Sequence, residues 1–282
     1  MTARGLIQYG TAELTACEIP DAAVDAWLLF QHVTGMSRAS FLIRGMELMD
    51  AEVEAAYKAL IQKRCTHYPL QYITHSQNFM GLDFYVDERV LIPRQDTEIL
   101  VEQALQWLKP GDQVLDMCTG SGCIVIALSV LGKVAGLGVD LSDDALCVAR
   151  KNAQMNQAEQ TTFLKSDLFS ALNPVTYGAY FDMIVSNPPY IATEEVLKLM
   201  PEVREHEPMM ALDGDADGLK FYRAIILGAG HYLKPGGRLI FEIGYDQGAA
   251  VSSLLQTAGY KQIEVHRDLA GLDRVVSAVR VQ

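Results

Sequence analysis

Apolar residues in the first part of the chain recur at helical spacing. The pattern runs from Ile19 to about Ala39 and again through "DAEVEAAYKALIQKRC" at residues 50–65, where acids come early and bases late, as the helix dipole favours. Both segments predict amphipathic helices. We therefore predict that residues 1–75 form a small helical bundle.

The period of the pattern changes between residues 76 and 96. Within this stretch "LDFYVD" alternates apolar and polar residues, "RVLI" has the composition of a strand, and Pro93 stops the run. Such short alternating segments are typical of paired strands. We predict a β-hairpin that links the helical bundle to a second domain.

Residues 97–282 alternate predicted strands with predicted helices, which indicates a parallel sheet with helices on both faces. The first four strands are "DQVLDMC", "VAGLGVD", "TTFLKSD" and "YFDMIVS". Near the end, "KQIEVHRD" and "RVVSAVRV" are separated only by "LAGLD", so they form a hairpin and the last strand is antiparallel. The predicted fold class is therefore α/β, with a parallel sheet, one antiparallel C-terminal strand and a preceding helical bundle.

Composition and charge exclude several classes of protein. A chain of 282 residues with 50% hydrophobic and 21% charged residues is typical of a globular protein, and its net charge of −12 opposes partners bound chiefly through phosphates. No signal-peptide pattern and no run of ~18 uncharged apolar residues occurs. We expect a cytoplasmic protein with reduced cysteines, with no membrane or direct nucleic-acid partner, and with no metal, because the histidines lack metal-ligand spacing.

A tight turn between strand and helix predicts the first ligand contact. In "VLDMCTGSGCIVIAL", residues 114–128, the helix begins with free N–H groups that can hold an anionic or polar group, and Gly120 and Gly122 allow a close approach to the backbone. A dinucleotide site would place a third glycine where Val125 stands, which disfavours NAD. A purely structural turn remains the alternative.

The next two strands each end in an acid. Asp140 ends the second strand, at the position where an acid binds ribose hydroxyls in nucleotide-binding α/β sheets. Asp167 ends the third strand, and Leu168 and Phe169 after it could flank an adenine ring. Either acid alone could be a helix cap. A glycine turn and two acids at three successive strand ends together indicate an adenosine-containing ligand.

The fourth strand ends in "NPPY". The first and fourth strands are neighbours where the strand order reverses, so this motif and the glycine turn line one crevice. The side-chain oxygen of Asn187 and the backbone carbonyl of Pro188 are two acceptors that fit one NH₂ group, and Tyr190 offers a face for a planar group. An amide or aromatic NH₂ is a poor nucleophile, so placing it in line with a methyl donor is the main catalytic aid. The predicted cofactor is S-adenosylmethionine.

These residues make the sequence similar to the HemK/PrmC family of protein N5-glutamine methyltransferases. The similarity extends to "VLIPRQDTEILVEQAL" at residues 90–105, "VLDMCTGSG" at 114–122 and "EPMMALDGDADGLKFYR" at 207–223. The resemblance implies a Rossmann-like class I methyltransferase sheet that modifies the Gln of the Gly-Gly-Gln motif in bacterial peptide chain release factors. It also implies that the N-terminal bundle docks the release factor, and we expect a monomer.

The motif residues carry the expected roles position by position. The residues expected to contact the cofactor are Thr97, Cys118, Thr119, Gly120, Ser121, Gly122, Asp140, Asp167, Leu168 and Asn187, with Arg94 as a further candidate near its methionine end. Those expected to hold the glutamine are Asn187, Pro188, Pro189 and Tyr190, of which Asn187, Pro188 and Tyr190 are the expected catalytic set. Many family members have Gly at the position of Cys118, a departure that changes little because Gly120 and Gly122 remain. Some have an aromatic at the position of Leu168, so we expect a smaller adenine contact here, supplemented by Phe169.

Two other functions stay open. "NPPY" also occurs in enzymes that methylate N6 of adenine in DNA, since that nitrogen is likewise a conjugated NH₂; the acidic charge and the lack of a Lys/Arg run for a phosphate groove disfavour this function. The second alternative is a non-catalytic S-adenosylmethionine-binding partner of another subunit, which has no need to keep both "NPPY" and the glycine turn.

Overall fold

The computed structural model describes residues 1–281, which divide into two compact units. The first unit is Met1–His75 with Met200–His206, and the second is Ser76–Leu199 with Glu207–Gln282. The division differs from the predicted domains in two ways. The hairpin predicted as a linker over residues 76–96 belongs to the second unit, and a segment predicted in the 97–282 domain belongs to the first.

The helices and strands are numbered in chain order. The helices are α1 Ala3–Ala16, α2 Ala22–Thr34, α3 Arg38–Arg44, α4 Ala51–Cys65, α5 Leu70–Thr74, α6 Gln95–Leu105, α7 Cys123–Gly132, α8 Asp143–Met155, α9 Pro174–Tyr177, α10 Thr193–Val196, α11 Pro201–His206, α12 Lys220–Tyr232 and α13 Gly248–Thr257. The strands are β1 Gln77–Phe79, β2 Leu82–Phe84, β3 Gln113–Met117, β4 Ala135–Asp140, β5 Thr161–Lys165, β6 Phe181–Ser186, β7 Leu233–Glu242, β8 Lys261–Arg267 and β9 Asp273–Val279.

The first unit is a helical bundle whose core is formed by α1, α2, α4 and α5. Helix α1 was not predicted, because two of its four buried positions are Ala3 and Gly10 rather than large apolar residues. Gly10 is needed for packing: the hydroxyl oxygen of Tyr57 occupies the place of a Cβ, only 2.0 Å from where that atom would lie. Tyr57 in turn donates to the carbonyl of Ala26 at 3.0 Å, which joins α4 to α2.

A buried arginine holds α11 in this unit. Arg64 on α4 donates through Nε to Asp25 at 2.7 Å and through Nη2 to Glu202 of α11 at 2.5 Å. Removing one member of such a buried cluster leaves uncompensated charge, which costs ~3–5 kcal/mol. Arg64 therefore explains why the short segment Met200–His206 joins helices that precede it by over a hundred residues.

The second unit contains a seven-stranded sheet in the order β5-β4-β3-β6-β7-β9-β8. Strands β3 to β7 pair in parallel, and β9 is antiparallel to both of its neighbours, which confirms the predicted fold class. Strand β3 lies next to β6, with Met117 opposite Ser186. The glycine turn and "NPPY" therefore leave the sheet side by side, as predicted.

Alternating side chains of the strands point to two apolar layers. On one face, Val114, Met183, Val185 and Ile240 pack with α6, α7 and the β1–β2 hairpin. On the other face, Leu115, Ile184, Leu239 and Phe241 pack with α12 and α13. Helix α12 was not predicted, and "RVLI" at residues 89–92 forms no strand. No helix within residues 1–281 combines the length and apolar character needed to cross a bilayer.

Candidate active site

A cavity of about 490 Å³ opens at the carboxyl ends of β3, β4, β5 and β6, within the second unit. Its volume is in the range of ligand pockets, ~300–1,000 Å³. The predicted site residues that line it are Cys118, Gly120, Asp140, Asp167, Leu168, Asn187 and Pro189. The predicted residues outside its lining are Arg94, Thr97, Thr119, Ser121, Gly122, Pro188 and Tyr190. The structure thus brings the four strand ends together, and it separates the residues that line the cavity from those that support the lining.

Gly120 and Gly122 of the turn are required for different physical reasons. Both have positive φ, +52° at Gly120 and +80° at Gly122. A Cβ on Gly120 would meet no atom within 4 Å, whereas a Cβ on Gly122 would lie 2.9 Å from Ile126 Cδ1 and 3.1 Å from Ala149 Cβ. Gly120 therefore leaves room beside the cavity, but Gly122 is required for packing within the fold. Gly122 does not line the cavity, and its contact with the cofactor stays a prediction.

A buried acid supports the turn from behind. Thr119 Oγ1 donates to Asp116 Oδ2 at 2.5 Å, and the backbone N–H of Val125 donates to the same oxygen at 3.3 Å. Burial raises the pKa of Asp116 to about 7, against these two hydrogen bonds. Thr119 thus holds the turn to β3. The prediction did not identify Asp116, because a polar residue inside a strand carries no ligand signal of its own.

Asp140 joins the ends of β3 and β4. Its two carboxylate oxygens accept from the backbone N–H groups of Gly120 and Ser142, each at 2.9 Å. Burial raises the pKa of Asp140, and these hydrogen bonds oppose the shift. The N-cap of α8 is Ser142, whose hydroxyl accepts from the N–H of Ala145 at 3.1 Å. Asp140 is therefore not the helix cap considered as an alternative, and it faces the cavity.

Phe169 does not lie in the cavity wall near Asp167, where it was expected to contact adenine. Asp167 and Leu168 line the cavity, but Phe169 points away from it and stacks on Tyr232, with ring centroids 4.9 Å apart and planes 4° apart. The aromatic in the lining is Phe221, on the unpredicted helix α12. Phe169 thus does not supplement the Leu168 contact. No periodic signal in the sequence distinguishes Phe221 from an ordinary core residue.

Asn187 is oriented by Thr97. Its Nδ2 donates to Thr97 Oγ1 at 3.3 Å, and Thr97 is buried on α6. This bond leaves the amide oxygen of Asn187 without a donor among residues 1–281, and no donor in that range reaches the carbonyl of Pro188 either. Neither predicted acceptor therefore has a donor among these residues, and of the two only Asn187 lines the cavity. Thr97 lies behind Asn187 and supports the amide, whereas the resemblance implied a direct cofactor contact.

Tyr190 is held through its backbone and its hydroxyl. Gln247 Nε2 donates to its carbonyl at 2.9 Å, and its hydroxyl donates to Glu242 Oε1 at 3.4 Å. A Cβ on Gly214 would lie 2.8 Å from Tyr190 Cα, and one on Gly218 would lie 2.2 Å from the Tyr190 carbonyl oxygen. The glycines of the 207–223 motif are thus needed to pack against "NPPY", a role that was not predicted.

Arg94 has a different partner from the one expected. Its Nη2 lies 2.7 Å from both carboxylate oxygens of Glu207, which is buried. Glu207 directly precedes the segment Pro208–Met209–Met210, which lines the cavity. The ion pair therefore fixes one cavity wall to the chain that enters α6, and Arg94 itself does not line the cavity.

Comparisons with known proteins show to which family this chain belongs. The family model described as the PrmC N-terminal domain matches residues 5–74, and that of ribosomal protein L11 methyltransferase (PrmA) matches residues 95–209. A release factor glutamine methyltransferase of Geobacter sulfurreducens is 39% identical over 98% of this chain and 95% of its own length. One of Clostridium acetobutylicum is 41% identical over 91% of this chain and 90% of its own length. The chain belongs to the HemK/PrmC family of release factor glutamine methyltransferases.

A solved structure supports the fold independently. A methyltransferase from Pyrococcus furiosus superimposes with a TM-score of 0.55 at 16% identity, covering 79% of this chain and all of that one. Family membership confirms the resemblance first carried by "NPPY", the glycine turn and the 207–223 motif. The relatives' names do not favour the alternative of a DNA adenine methyltransferase.

Proposed function

We propose that this chain transfers a methyl group from S-adenosylmethionine to the side-chain nitrogen, N5, of the Gln in the Gly-Gly-Gln motif of bacterial peptide chain release factors. The orientation of Asn187 carries the proposal. Because its Nδ2 is bonded to Thr97, its oxygen is the end available to a substrate at the cavity. An acceptor at this position fits the NH₂ group of a glutamine side chain, and the relatives are named for that chemistry.

The residues of the cavity fit the cofactor. S-adenosylmethionine supplies an electrophilic methyl group on a sulfonium sulfur. Asp140 would bind the ribose hydroxyls, Leu168 would pack against adenine, and the open space at Gly120 would admit the amino-acid end. Carboxylate, apolar wall and side-chain-free turn are the three features that such a molecule requires.

Asn187 and Pro188 would hold the glutamine nitrogen through its two N–H groups. Conjugation makes this nitrogen a poor nucleophile, so orientation is the main contribution that the protein can make. The nitrogen becomes acidic only as it is alkylated, and the two acceptors stabilise the positive charge that develops. No histidine lines the cavity within the described residues, and this chemistry needs no strong base there.

The first unit would dock the release factor. It corresponds to the PrmC N-terminal domain, and it exposes Leu42, Ile43 and Leu48. Exposed apolar side chains on a small unit can bury area against a protein partner. The proposal also includes that the protein is a cytoplasmic monomer. It would bind release factors and would not bind nucleic acid directly.

Transfer of a tritiated methyl group tests the function. Purified protein is incubated with labelled S-adenosylmethionine and one of three acceptors: a release factor, its Gln→Ala variant at the Gly-Gly-Gln motif, or DNA. We expect label only in the unaltered release factor. Label in DNA, or equal label in the Gln→Ala variant, would contradict the proposal. Cofactor binding without any transfer would instead indicate the non-catalytic partner.

A further inference from the structure

Glu242, the last residue of β7, is a buried acid without a role in the chemistry described so far. It is 2% exposed, and the register that sets Phe241 opposite Ser186 brings it beside the start of "NPPY". Burying a carboxylate costs several kcal/mol unless it is well paired. A neutral side chain of similar size would fold at lower cost, so stability does not account for an acid at this position.

The carboxylate of Glu242 has few polar partners. Oε1 accepts from the Tyr190 hydroxyl at 3.4 Å, whereas no donor among residues 1–281 meets hydrogen-bond geometry at Oε2. The neighbouring guanidinium of Arg274 is paired with Asp96 and Asp268, each at 3.1 Å. Burial raises the pKa of Glu242 to about 7, and the Thr97 hydroxyl and Arg274 favour its charged form. The Thr97 hydroxyl, which accepts from Asn187 Nδ2 at 3.3 Å, is therefore near enough to Glu242 for its proton to be attracted by the carboxylate charge.

The hydroxyl of Thr97 decides which end of the Asn187 amide faces the cavity. A threonine hydroxyl has one proton and two lone pairs. When the proton points to Glu242, Thr97 can only accept from Asn187, so the NH₂ end of the amide turns to Thr97 and the oxygen turns away. When the proton points to Asn187, the amide is reversed and presents donors to the substrate NH₂, which repel it.

We propose that Glu242 is a positioning residue for the methyl acceptor: its carboxylate orients Asn187 through Thr97 and fixes the Tyr190 ring directly. That the methylated group is a glutamine side chain rests on the function proposed above, whereas the orientation of Asn187 does not depend on that function. Glu242 touches neither substrate nor cofactor in this role. Its ionised carboxylate only accepts hydrogen bonds, and it sets the direction of the Asn187 and Tyr190 side chains.

The charge of Glu242 makes the orientation depend on pH. Below about pH 7 the carboxyl is protonated, so it loses the negative charge that attracts the Thr97 proton and can itself donate a hydrogen bond. Activity should therefore fall as pH decreases through about 7. The titratable and charged groups that face Glu242 are Asp96 on α6, Cys123 on α7, Tyr190 in the loop after β6, Tyr222 on α12 and Arg274 on β9.

The kinetics of Glu242→Gln and Thr97→Val test whether Glu242 positions Asn187. Each change keeps the shape of the side chain, and the two remove the carboxylate of Glu242 and the hydroxyl of Thr97 respectively. We expect kcat for release factor methylation to fall about 10- to 100-fold in each, with the dissociation constant of the cofactor changed less than about twofold. The double variant should lose no more than either single one. Thr97→Ser should restore activity, and the exposed Glu264→Gln on β8 serves as the matched control.

Two readouts separate positioning from stability. Glu242→Gln should abolish the decrease in kcat below about pH 7, while its Tm at pH 8 stays equal or rises because a buried charge is removed. By NMR, the side-chain amide resonances of Asn187 in protein without substrate should shift in Glu242→Gln and Thr97→Val but not in Glu264→Gln. Unchanged resonances would overturn the inference whatever the acceptor. Wild-type kcat in Glu242→Gln would overturn it while leaving the proposed function intact.

Discussion

Asn187 Nδ2 lies 3.3 Å from Thr97 Oγ1, although the two residues are 90 positions apart in the sequence. Asn187 begins "NPPY", and Thr97 lies in the first turn of α6, which follows the hairpin. The bond gives a physical reason why the 90–105 motif and "NPPY" occur in one protein: the first fixes the amide of the second. The methyl acceptor site therefore depends on residues that do not line the cavity.

Asn187→Ala should abolish most methyl transfer and leave cofactor binding nearly intact. The change removes one of two acceptors that stabilise charge on the glutamine nitrogen, and loss of one such group in other enzymes costs ~10²–10³ in kcat. Single-turnover methylation and calorimetry with S-adenosylmethionine measure the two effects separately. Asn78→Ala on the exposed hairpin is the control. Equal losses of rate and cofactor affinity would show that Asn187 is mainly a cofactor ligand.

Asp140→Ala should weaken cofactor binding more than it slows transfer at saturating cofactor. The substitution removes the hydrogen bonds that Asp140 accepts from the N–H groups of Gly120 and Ser142, and with them the carboxylate lone pairs that face the cavity. Hydrogen bonds to charged groups contribute ~1.5–3 kcal/mol, so the dissociation constant should rise about 10- to 100-fold. Calorimetry measures it, with the exposed Asp143→Ala as the control. An unchanged constant would refute the ribose assignment.

The sheet could be predicted because its signals are local. Each strand of the parallel part is an apolar run between turn residues, and the short "LAGLD" connection requires a hairpin whatever the rest of the fold does. Helices α1 and α12 were not predicted, for two different reasons. Helix α1 buries small residues, including Gly10, whereas only the first four residues of α12 fall in a recognised motif, that at 207–223, and the rest of the helix was assigned no element. The 75/76 boundary follows the change of period, but Met200–His206 joins the first unit through Arg64 and Glu202, a contact with no local signal.

The cavity lining was predicted where residues lie at strand ends, and supporting residues were missed. Cys118 and Asn187 directly follow strands and Asp140 is the last residue of one, so topology alone brings them together. Asp116 and Glu242 are inside or at the end of buried strands, and their importance comes from contacts with Thr119 and Tyr190. Such contacts depend on side-chain direction in three dimensions, which spacing along the chain does not encode.

Gly120→Ala and Gly122→Ala should separate ligand binding from folding. Both sites have positive φ, so each change costs ~1 kcal/mol of backbone strain. At Gly122 the added methyl also collides with Ile126 and Ala149, and we expect a total loss of about 2–4 kcal/mol in the free energy of unfolding. At Gly120 the methyl meets open space beside the cavity, so cofactor affinity should fall more than stability.

Denaturant titration and calorimetry on both glycine variants measure these two quantities. Gly236→Ala is a control for positive φ alone, because its φ is +79° and no atom lies within 4 Å of the added Cβ. Equal destabilisation of the Gly122 and Gly236 variants would contradict the packing role of Gly122. Unaltered cofactor affinity in Gly120→Ala would show that the ligand does not approach the turn there.

Asp116→Asn should make the protein less sensitive to pH. The pKa of Asp116 rises from its ordinary 3.8 to about 7 in the folded protein because the carboxyl is buried. The folded state therefore binds more protons than the unfolded state between about pH 4 and 7, and stability decreases as pH rises through this window. Asn keeps an oxygen for the Thr119 hydroxyl and the Val125 N–H but cannot ionise. The variant should gain on the order of 3 kcal/mol relative to wild type between pH 4 and pH 8. Urea unfolding at both pH values measures the gain, and a constant difference between the two proteins would mean that Asp116 ionises equally in the folded and unfolded chains.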